Sequence, residues 1–283
     1  HSFPTRRLFR SANLGGCLLE DAALDGCGLA GTSLRAARLQ GARVADSDLS
    51  GADLRAADLG GAVFSGTRLT GAKVGRTIMA GASLAGCDLS GLDLSGLDLS
   101  GCDLGGTVLA GARLNGCDLT ETRLAGVDAR RTDLGGALMV RTDLLDADLR
   151  ESSLRGATLD HCRLGGARIE GADLRQARFE TCLAAGIDFT RTCIEGAAFP
   201  GCDLTEACLT GLDLGGQSFR DADLSRARLR GARLGKADLR EATLAGADLS
   251  EVDLSGASCH TADFSGAVLE AAAEVTLEGL SVL

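Results

Sequence analysis

The sequence predicts an all-β chain wound as a parallel β-helix, a solenoid built from five-residue repeats. Every fifth residue from Phe9 to Leu269 is Leu, Val, Ile, Met or Phe, except at Ala129, Ala184 and Cys259. The residue two places earlier is almost always Ala, Cys, Ser or Thr, and Gly is frequent two places later. No insertion interrupts this register, so the sequence offers no place for a linker between domains.

A spacing of five matches neither the 3.6-residue period of a helix nor the two-residue period of a strand, so either element would scatter these leucines over its surface. A solenoid keeps them inside. If each repeat forms one side of a square coil, the large apolar residue and the small one both point inward. The residue between them points outward, and Gly makes the corner. About 20 residues complete a coil, and coils stack about 4.8 Å apart.

Substitutions within the pattern fit an interior of fixed volume. Val127 occupies a small site in the repeat where Ala129 occupies a large one, so the interior volume is roughly preserved. Residues that lie one coil apart are expected to align in two ladders, Phe179, Phe199 and Phe219, and Cys162, Cys182 and Cys202. Leu92 and Leu97 fill small sites of one coil, which we expect them to swell or distort.

The repeats resemble those of the pentapeptide-repeat family, whose A-(D/N)-L-x-x signature stands here as 52–56 (ADLRA), 87–91 (CDLSG) and 247–251 (ADLSE). This resemblance implies a right-handed quadrilateral β-helix of about 13 coils. We expect residues 1–11 to be a lead-in or cap, residues 12–270 to be the β-helix, and residues 271–283 to be a C-terminal cap or dimer contact.

Composition limits the classes of function. The net charge of −10 disfavours direct nucleic-acid binding, which neutralises phosphates with basic groups, and suits a basic partner instead. No run of about 18 apolar residues predicts a membrane span, and the first residues lack a signal-peptide apolar region. We therefore expect a soluble, cytoplasmic protein that binds no membrane.

The residues that usually carry chemistry favour structural roles. Eight of the 11 cysteines occupy the small inward site, which predicts buried small side chains and neither a metal site nor disulfides: Cys17, Cys27, Cys87, Cys102, Cys117, Cys162, Cys182 and Cys202. His161 precedes Cys162, but the repeat places one outside and the other inside. We expect no catalytic residue, no cofactor and no enzyme activity.

Surface charge is the remaining candidate for function. Summed over the outward positions, the face of Leu14 carries +2, those of Leu19 and Leu24 carry −6 and −5, and that of Leu29 carries −2. The two acidic faces define a candidate partner-binding acidic edge: Asp98, Asp103, Asp118, Glu121, Asp143, Asp146, Asp160, Asp203, Glu206, Asp238 and Glu241. Alternatively, these carboxylates serve only solubility and turn hydrogen bonds. A second acidic feature is the girdle of Asp88, Asp93, Asp98 and Asp103 on four successive sides.

The C-terminal residues leave the five-residue period. They fit either a short helix or a strand, which would cap the open end or pair two rods into a homodimer. The candidate dimer contacts are Leu269, Leu277, Leu280, Val282 and Leu283.

The resemblance also suggests a function. Some members of the family confer resistance to quinolones or self-resistance, imitate B-DNA and bind type II topoisomerase. It implies a DNA mimic that binds the basic DNA-binding surface of DNA gyrase and confers resistance to gyrase-targeting antibiotics. The outward Arg and Lys residues depart from this pattern because DNA has no positive groups. The alternative is a non-catalytic scaffold or protein–protein interaction module with no topoisomerase role.

Overall fold

The computed structural model describes residues 9–272. Three short strands follow one another, β1 (Leu138–Val140), β2 (Thr158–Asp160) and β3 (Arg178–Glu180), in the sheet order β1-β2-β3. The chain divides into two compact units, His1–Leu138 and Met139–Leu283. No helix among the described residues is both long and apolar enough to cross a membrane.

Both units are built from parallel bridges between residues 20 apart. In the first unit, Ser33 pairs with Asp53 and Asp98 pairs with Asp118. In the second, β2 pairs with β3 in parallel with Leu159 opposite Phe179, and Asp203 pairs with Asp223. Four five-residue repeats therefore form each coil, and the chain is a β-helix solenoid as predicted.

The corners of the described residues are β-turns whose third residue has a positive φ, except at Arg191. At Gly51 φ is 66°, and the amide of Ala52 donates to the carbonyl of Leu49 at 3.0 Å, as in a type II turn. The same conformation occurs at corners without glycine, such as Ala56 with φ 58°. The frequent Gly of the repeat is therefore explained by backbone conformation, as the sequence predicts.

The core is aliphatic, and like residues stack on like. Side chains of the large inward site, such as Leu29, are buried throughout both units apart from the terminal coils. In the second unit, the Phe179 and Phe199 rings stack at 5.0 Å between centroids, and Phe199 and Phe219 stack at 5.5 Å. The predicted phenylalanine ladder is thus confirmed.

The expected distortion at Leu92 and Leu97 also occurs. The bridges that the 20-residue register requires between Lys73 and Asp93, and between Ile78 and Asp98, are missing from the described part of the first unit. The ladder resumes where Gly81 donates to the carbonyl of Ser100 at 2.8 Å. Large side chains at the small site thus cost hydrogen bonds between coils.

Candidate protein-binding surface

The outward Asp of the repeat has a structural role in both units. Each of the 21 aspartates at this position accepts, through Oδ1, the backbone amide two residues later. For example, Ser100 donates to Asp98 at 2.9 Å and Thr120 donates to Asp118 at 2.9 Å. These bonds fix the start of the corner and hold each carboxylate in one orientation.

The same hydrogen bonds favour the ionised carboxylate. The side chain and amide of Ser100 lower the pKa of Asp98, and those of Ser90 lower the pKa of Asp88. The Arg55 side chain lowers the pKa of Asp53 further, to about 2. These aspartates are therefore charged at neutral pH.

In the first unit, the structure brings two predicted edge residues together. Asp98 and Asp118 are bridge partners on neighbouring coils, and neither has an ion-pair partner among the described residues. Asp103 is close to Arg123, with 4.0 Å between the Asp Oδ2 and the Arg Nη1. Glu121 lies at a corner with φ 57°.

Exposed apolar side chains flank this acidic pair. Ile78 and Leu138 occupy the same outward position one coil before Asp98 and one coil after Asp118, and they are 55% and 40% exposed. We name these four residues the Asp98 patch: Ile78, Asp98, Asp118 and Leu138. Exposed apolar residues are common on a surface, so it is their position beside an unpaired acidic pair that makes this patch a candidate contact site.

In the second unit, most predicted edge residues are paired with bases. The ion pairs are Asp143 with Arg163, Glu206 with Arg226, Asp238 with Arg240 and Glu241 with Arg220, and His161 contacts Asp160.

Two predicted edge residues of the second unit, Asp203 and Asp146, are not among these ion pairs. Asp203 is the bridge partner of Asp223, with no ion pair among the described residues. Asp146 lies at a corner with φ 54°, against Gly166. Among the predicted edge positions, the aspartates that face another aspartate on a neighbouring coil without a neutralising base are therefore Asp98, with Asp118, and Asp203, with Asp223.

The cysteines lie where the repeat predicts. Seven of the eight at the small site are buried, Cys17 is half-buried, and all 11 cysteines are free thiols. Burial raises the pKa of Cys87, Cys102 and Cys117 to about 11. The described residues contain no group of side chains suited to a metal ion.

His161 does not form a catalytic pair with Cys162. The Nδ1 atom of His161 contacts Asp160 and the Thr181 hydroxyl, whereas the Cys162 thiol donates to the carbonyl of Met139 at 3.2 Å. The neighbouring Cys182 thiol and burial together raise the pKa of Cys162.

Of the candidate dimer contacts, Leu269 lies among the described residues. It is 38% exposed, although it occupies a large inward site. Leu277, Leu280, Val282 and Leu283 lie outside the described residues.

Sequence reasoning missed a groove of about 530 Å³ in the first unit. Gly26, Gly28, Gly66 and Gly86 line it without side chains, and Arg10, Asp46, Asp48, Arg68 and Asp88 surround it. Gly66 and Gly86, aligned on successive coils, were the signal that could have revealed it. Its charges are of mixed sign, and Arg68 lies 3.7 Å from Asp48.

Comparisons with known proteins agree with the repeat. The family model described as pentapeptide repeats matches residues 8–41, 47–79, 68–106, 102–139, 130–166, 142–181, 162–205, 199–235 and 232–270. The comparison with curated proteins found no match.

Among solved structures, the chain is similar to HetL, a pentapeptide repeat protein involved in heterocyst differentiation regulation from the cyanobacterium Nostoc sp. strain PCC 7120. The identity is 30%, the coverage is 94% of this chain and 92% of HetL, and the TM-score is 0.31. It is also similar to full-length QnrB1, a plasmid-mediated fluoroquinolone resistance protein, at 17% identity, 83% and 92% coverage and a TM-score of 0.33. With the repeat matched over most of its length, the chain belongs to the pentapeptide repeat family.

Proposed function

We propose that this protein is a non-catalytic DNA mimic whose Asp98 patch binds the basic DNA-binding surface of a type II topoisomerase, DNA gyrase. The observation that carries the proposal is the pair Asp98 and Asp118, adjacent on neighbouring coils and unpaired with any base among the described residues. A gyrase so occupied would be protected from drugs that act on its DNA complex. We take the winding to be right-handed, as in the family that the sequence resembles.

The carboxylates of this pair are preorganised. Oδ1 of each is held by a backbone amide at 2.9 Å, so binding costs little side-chain entropy. Their coils are about 4.8 Å apart, a spacing along the solenoid of the same order as the roughly 3.4 Å of helix axis that each phosphate of one DNA strand occupies. A partner Arg or Lys would relieve the repulsion between the two carboxylates.

Neighbouring carboxylates extend the negative region around the coil. Asp88, Asp93 and Asp103 accept the amides of Ser90, Ser95 and Gly105. Asp93 and Asp103 each lie near one Arg, at 3.3 and 4.0 Å. In the first unit, the proposed mimicry thus centres on Asp98, Asp118 and these neighbours, whereas bases neutralise most of the predicted edge carboxylates of the second unit.

A second candidate function is a protein–protein scaffold without a topoisomerase role. It is favoured by the exposure of Ile78 and Leu138, because a phosphate backbone offers no aliphatic groups and protein interfaces are partly apolar at their centre. The two functions differ in their dependence on salt, which screens an electrostatic interface more strongly than an apolar one.

The test is a gyrase supercoiling and drug-induced cleavage assay with added protein at two salt concentrations. The variant Asp98→Asn/Asp118→Asn removes two charges, and Asp53→Asn/Asp133→Asn removes two from the face of Leu14 as a matched control. We expect salt-sensitive inhibition or protection that only the first variant abolishes. No effect at micromolar protein would exclude the gyrase role, and an equal effect of both variants would exclude the Asp98 patch.

A further inference from the structure

The regular solenoid joins neighbouring coils through two kinds of backbone hydrogen bond. The residue after the small site donates to a carbonyl of the preceding coil, as when Asp103 donates to Ala82 at 3.0 Å. The large inward residue donates to a carbonyl of the following coil, as when Leu84 donates to Asp103 at 2.7 Å.

Between residues 69–79 and 88–98, these bonds are interrupted on consecutive sides. The amides of Asp88, Asp93 and Asp98 donate to no carbonyl of the preceding coil, and those of Val74 and Met79 to none of the next coil, among the described residues. The bridge between Arg68 and Asp88 persists, but without a hydrogen bond of ordinary geometry.

The cause is the size of two side chains. Leu92 and Leu97 occupy sites that hold Ala, Cys, Ser or Thr in most repeats, and both are buried. Overfilling an interior forces the backbone to shift, because side chains there cannot be compressed.

The same relationship recurs in the second unit. Ile187, Leu212 and Gln217 also fill small sites. Within the part of the chain that the structure describes, the amides of the residues that follow them likewise donate to no carbonyl of the preceding coil: Asp188, Asp213 and Ser218.

When the small inward site holds valine, the backbone hydrogen bond to the preceding coil is kept. After Val127, Asp128 donates to Thr107 at 3.0 Å, and after Val252, Asp253 donates to Ala232 at 3.1 Å. Side chains longer than valine thus accompany the missing bond, and valine does not. Asp88 follows the small Cys87, so its missing bond is attributed to the neighbouring Leu92 of the same coil.

We propose that Leu92 and Leu97 form a built-in seam in the first unit, between residues 69–79 and 88–98, at which neighbouring coils separate more readily than elsewhere in that unit. Elsewhere in the interior of the first unit, separating two neighbouring coils must break a hydrogen bond on each side of the coil. At the seam, several of these hydrogen bonds are already absent. Asp98 lies at the border of the seam: among the described residues, it keeps its bridge to Asp118 on the following coil and has none to Ile78 on the preceding one. The seam itself does not depend on the proposed binding function.

Amide hydrogen exchange on the full chain tests the seam. We expect the amides of Val74, Met79, Asp93 and Asp98 to exchange at least about tenfold faster than the equivalent amides of Leu49 and Asp53, which are hydrogen-bonded to neighbouring coils at 2.8 and 2.9 Å. Equal protection of the two sets would overturn the proposal.

Two variants test its cause. Leu92→Ala/Leu97→Ala restores the common residue of the small site and should slow exchange of Asp93 and Asp98 about tenfold. If that variant does not fold, Val252→Leu serves instead and should open a new seam, with faster exchange at Asp253, while Val252→Ala should leave exchange there unchanged. Unchanged exchange in the folded Leu92→Ala/Leu97→Ala variant, or in Val252→Leu, would show that side-chain size is not the cause.

Discussion

Asp118 lies on Asp98 as its partner in the parallel ladder, so two carboxylates meet on neighbouring coils with no base between them among the described residues. At several other positions of the first unit the ladder places an Arg beside an Asp, as with Arg113 and Asp93 at 3.3 Å or Arg68 and Asp48 at 3.7 Å. Like charges that face each other are destabilising, so the pair gains most when a partner provides a cation.

Asparagine at the outward position should keep the turn hydrogen bond that aspartate makes there but remove the negative charge. Asn13 already accepts the amide of Gly15 through Oδ1 at 3.1 Å, as the aspartates do. We expect Asp98→Asn to change the free energy of unfolding by less than about 0.5 kcal/mol, and Asp98→Ala to lower it by about 1 kcal/mol because the Ser100 amide loses its acceptor. Urea unfolding followed by circular dichroism measures both. Equal losses would show that the turn hydrogen bond contributes nothing.

Acid should remove the contribution of Asp53. Its pKa is lowered from 3.8 to about 2 by the hydrogen-bonded Arg55, so its stabilising effect is complete above pH 4 and is lost as the pH falls towards 2. The difference in stability between the wild type and Asp53→Asn should therefore shrink over this range, as measured by unfolding at pH 6, 4, 3 and 2. A difference that stays constant would contradict the assignment.

Corner glycines should differ in their tolerance of alanine. A Cβ added at Gly51 would meet no atom within 4 Å, so Gly51→Ala should cost only the strain of its φ of 66°, about 1 kcal/mol. At Gly66 the added Cβ would lie 2.7 Å from Oδ1 of Asp46, so Gly66→Ala should cost more. Thermal unfolding of the two variants, with Gly66→Ala/Asp46→Ala as the control, checks the order. The control should recover the cost that exceeds that of Gly51→Ala.

Thiol reactivity should follow burial. Cys193 is exposed, whereas Cys87, Cys102 and Cys117 are buried with pKa values of about 11. We expect a chromogenic disulfide reagent at pH 8 to react rapidly with Cys193 and with the buried thiols only after denaturation. Cys193→Ser identifies the rapid phase. Rapid reaction of the buried thiols in the native protein would contradict their placement.

The sequence predicted the fold in detail because one pattern repeats without interruption. The spacing of five and the coil of 20 follow from the positions of Leu, small residues and Gly, and the stacked Phe179, Phe199 and Phe219 followed from that spacing alone. The distortion at Leu92 and Leu97 was also expected, since volume at an inward site can be read from residue type.

The binding surface was harder to predict, because a sum of charges over a face does not show which carboxylates are neutralised by the residue two places later. Asp238 has the same repeat position as Asp98, but Arg240 turns back onto it at 2.7 Å, whereas Ser100 provides no cation. An Arg two residues after the outward Asp was therefore the sequence signal for neutralisation, as Asp53 with Arg55 and Asp238 with Arg240 show. The groove beside Arg10 was missed for a related reason, since absent side chains shape it.

Direct binding of purified gyrase, measured by calorimetry at low and moderate salt, tests the central claim most directly. We expect Asp98→Asn/Asp118→Asn to weaken binding at least about tenfold, roughly 1.4 kcal/mol, and the matched control Asp53→Asn/Asp133→Asn to change it less than about twofold. Equal affinities for the wild type and both folded variants would contradict the claim that the unpaired carboxylates of Asp98 and Asp118 bind the partner.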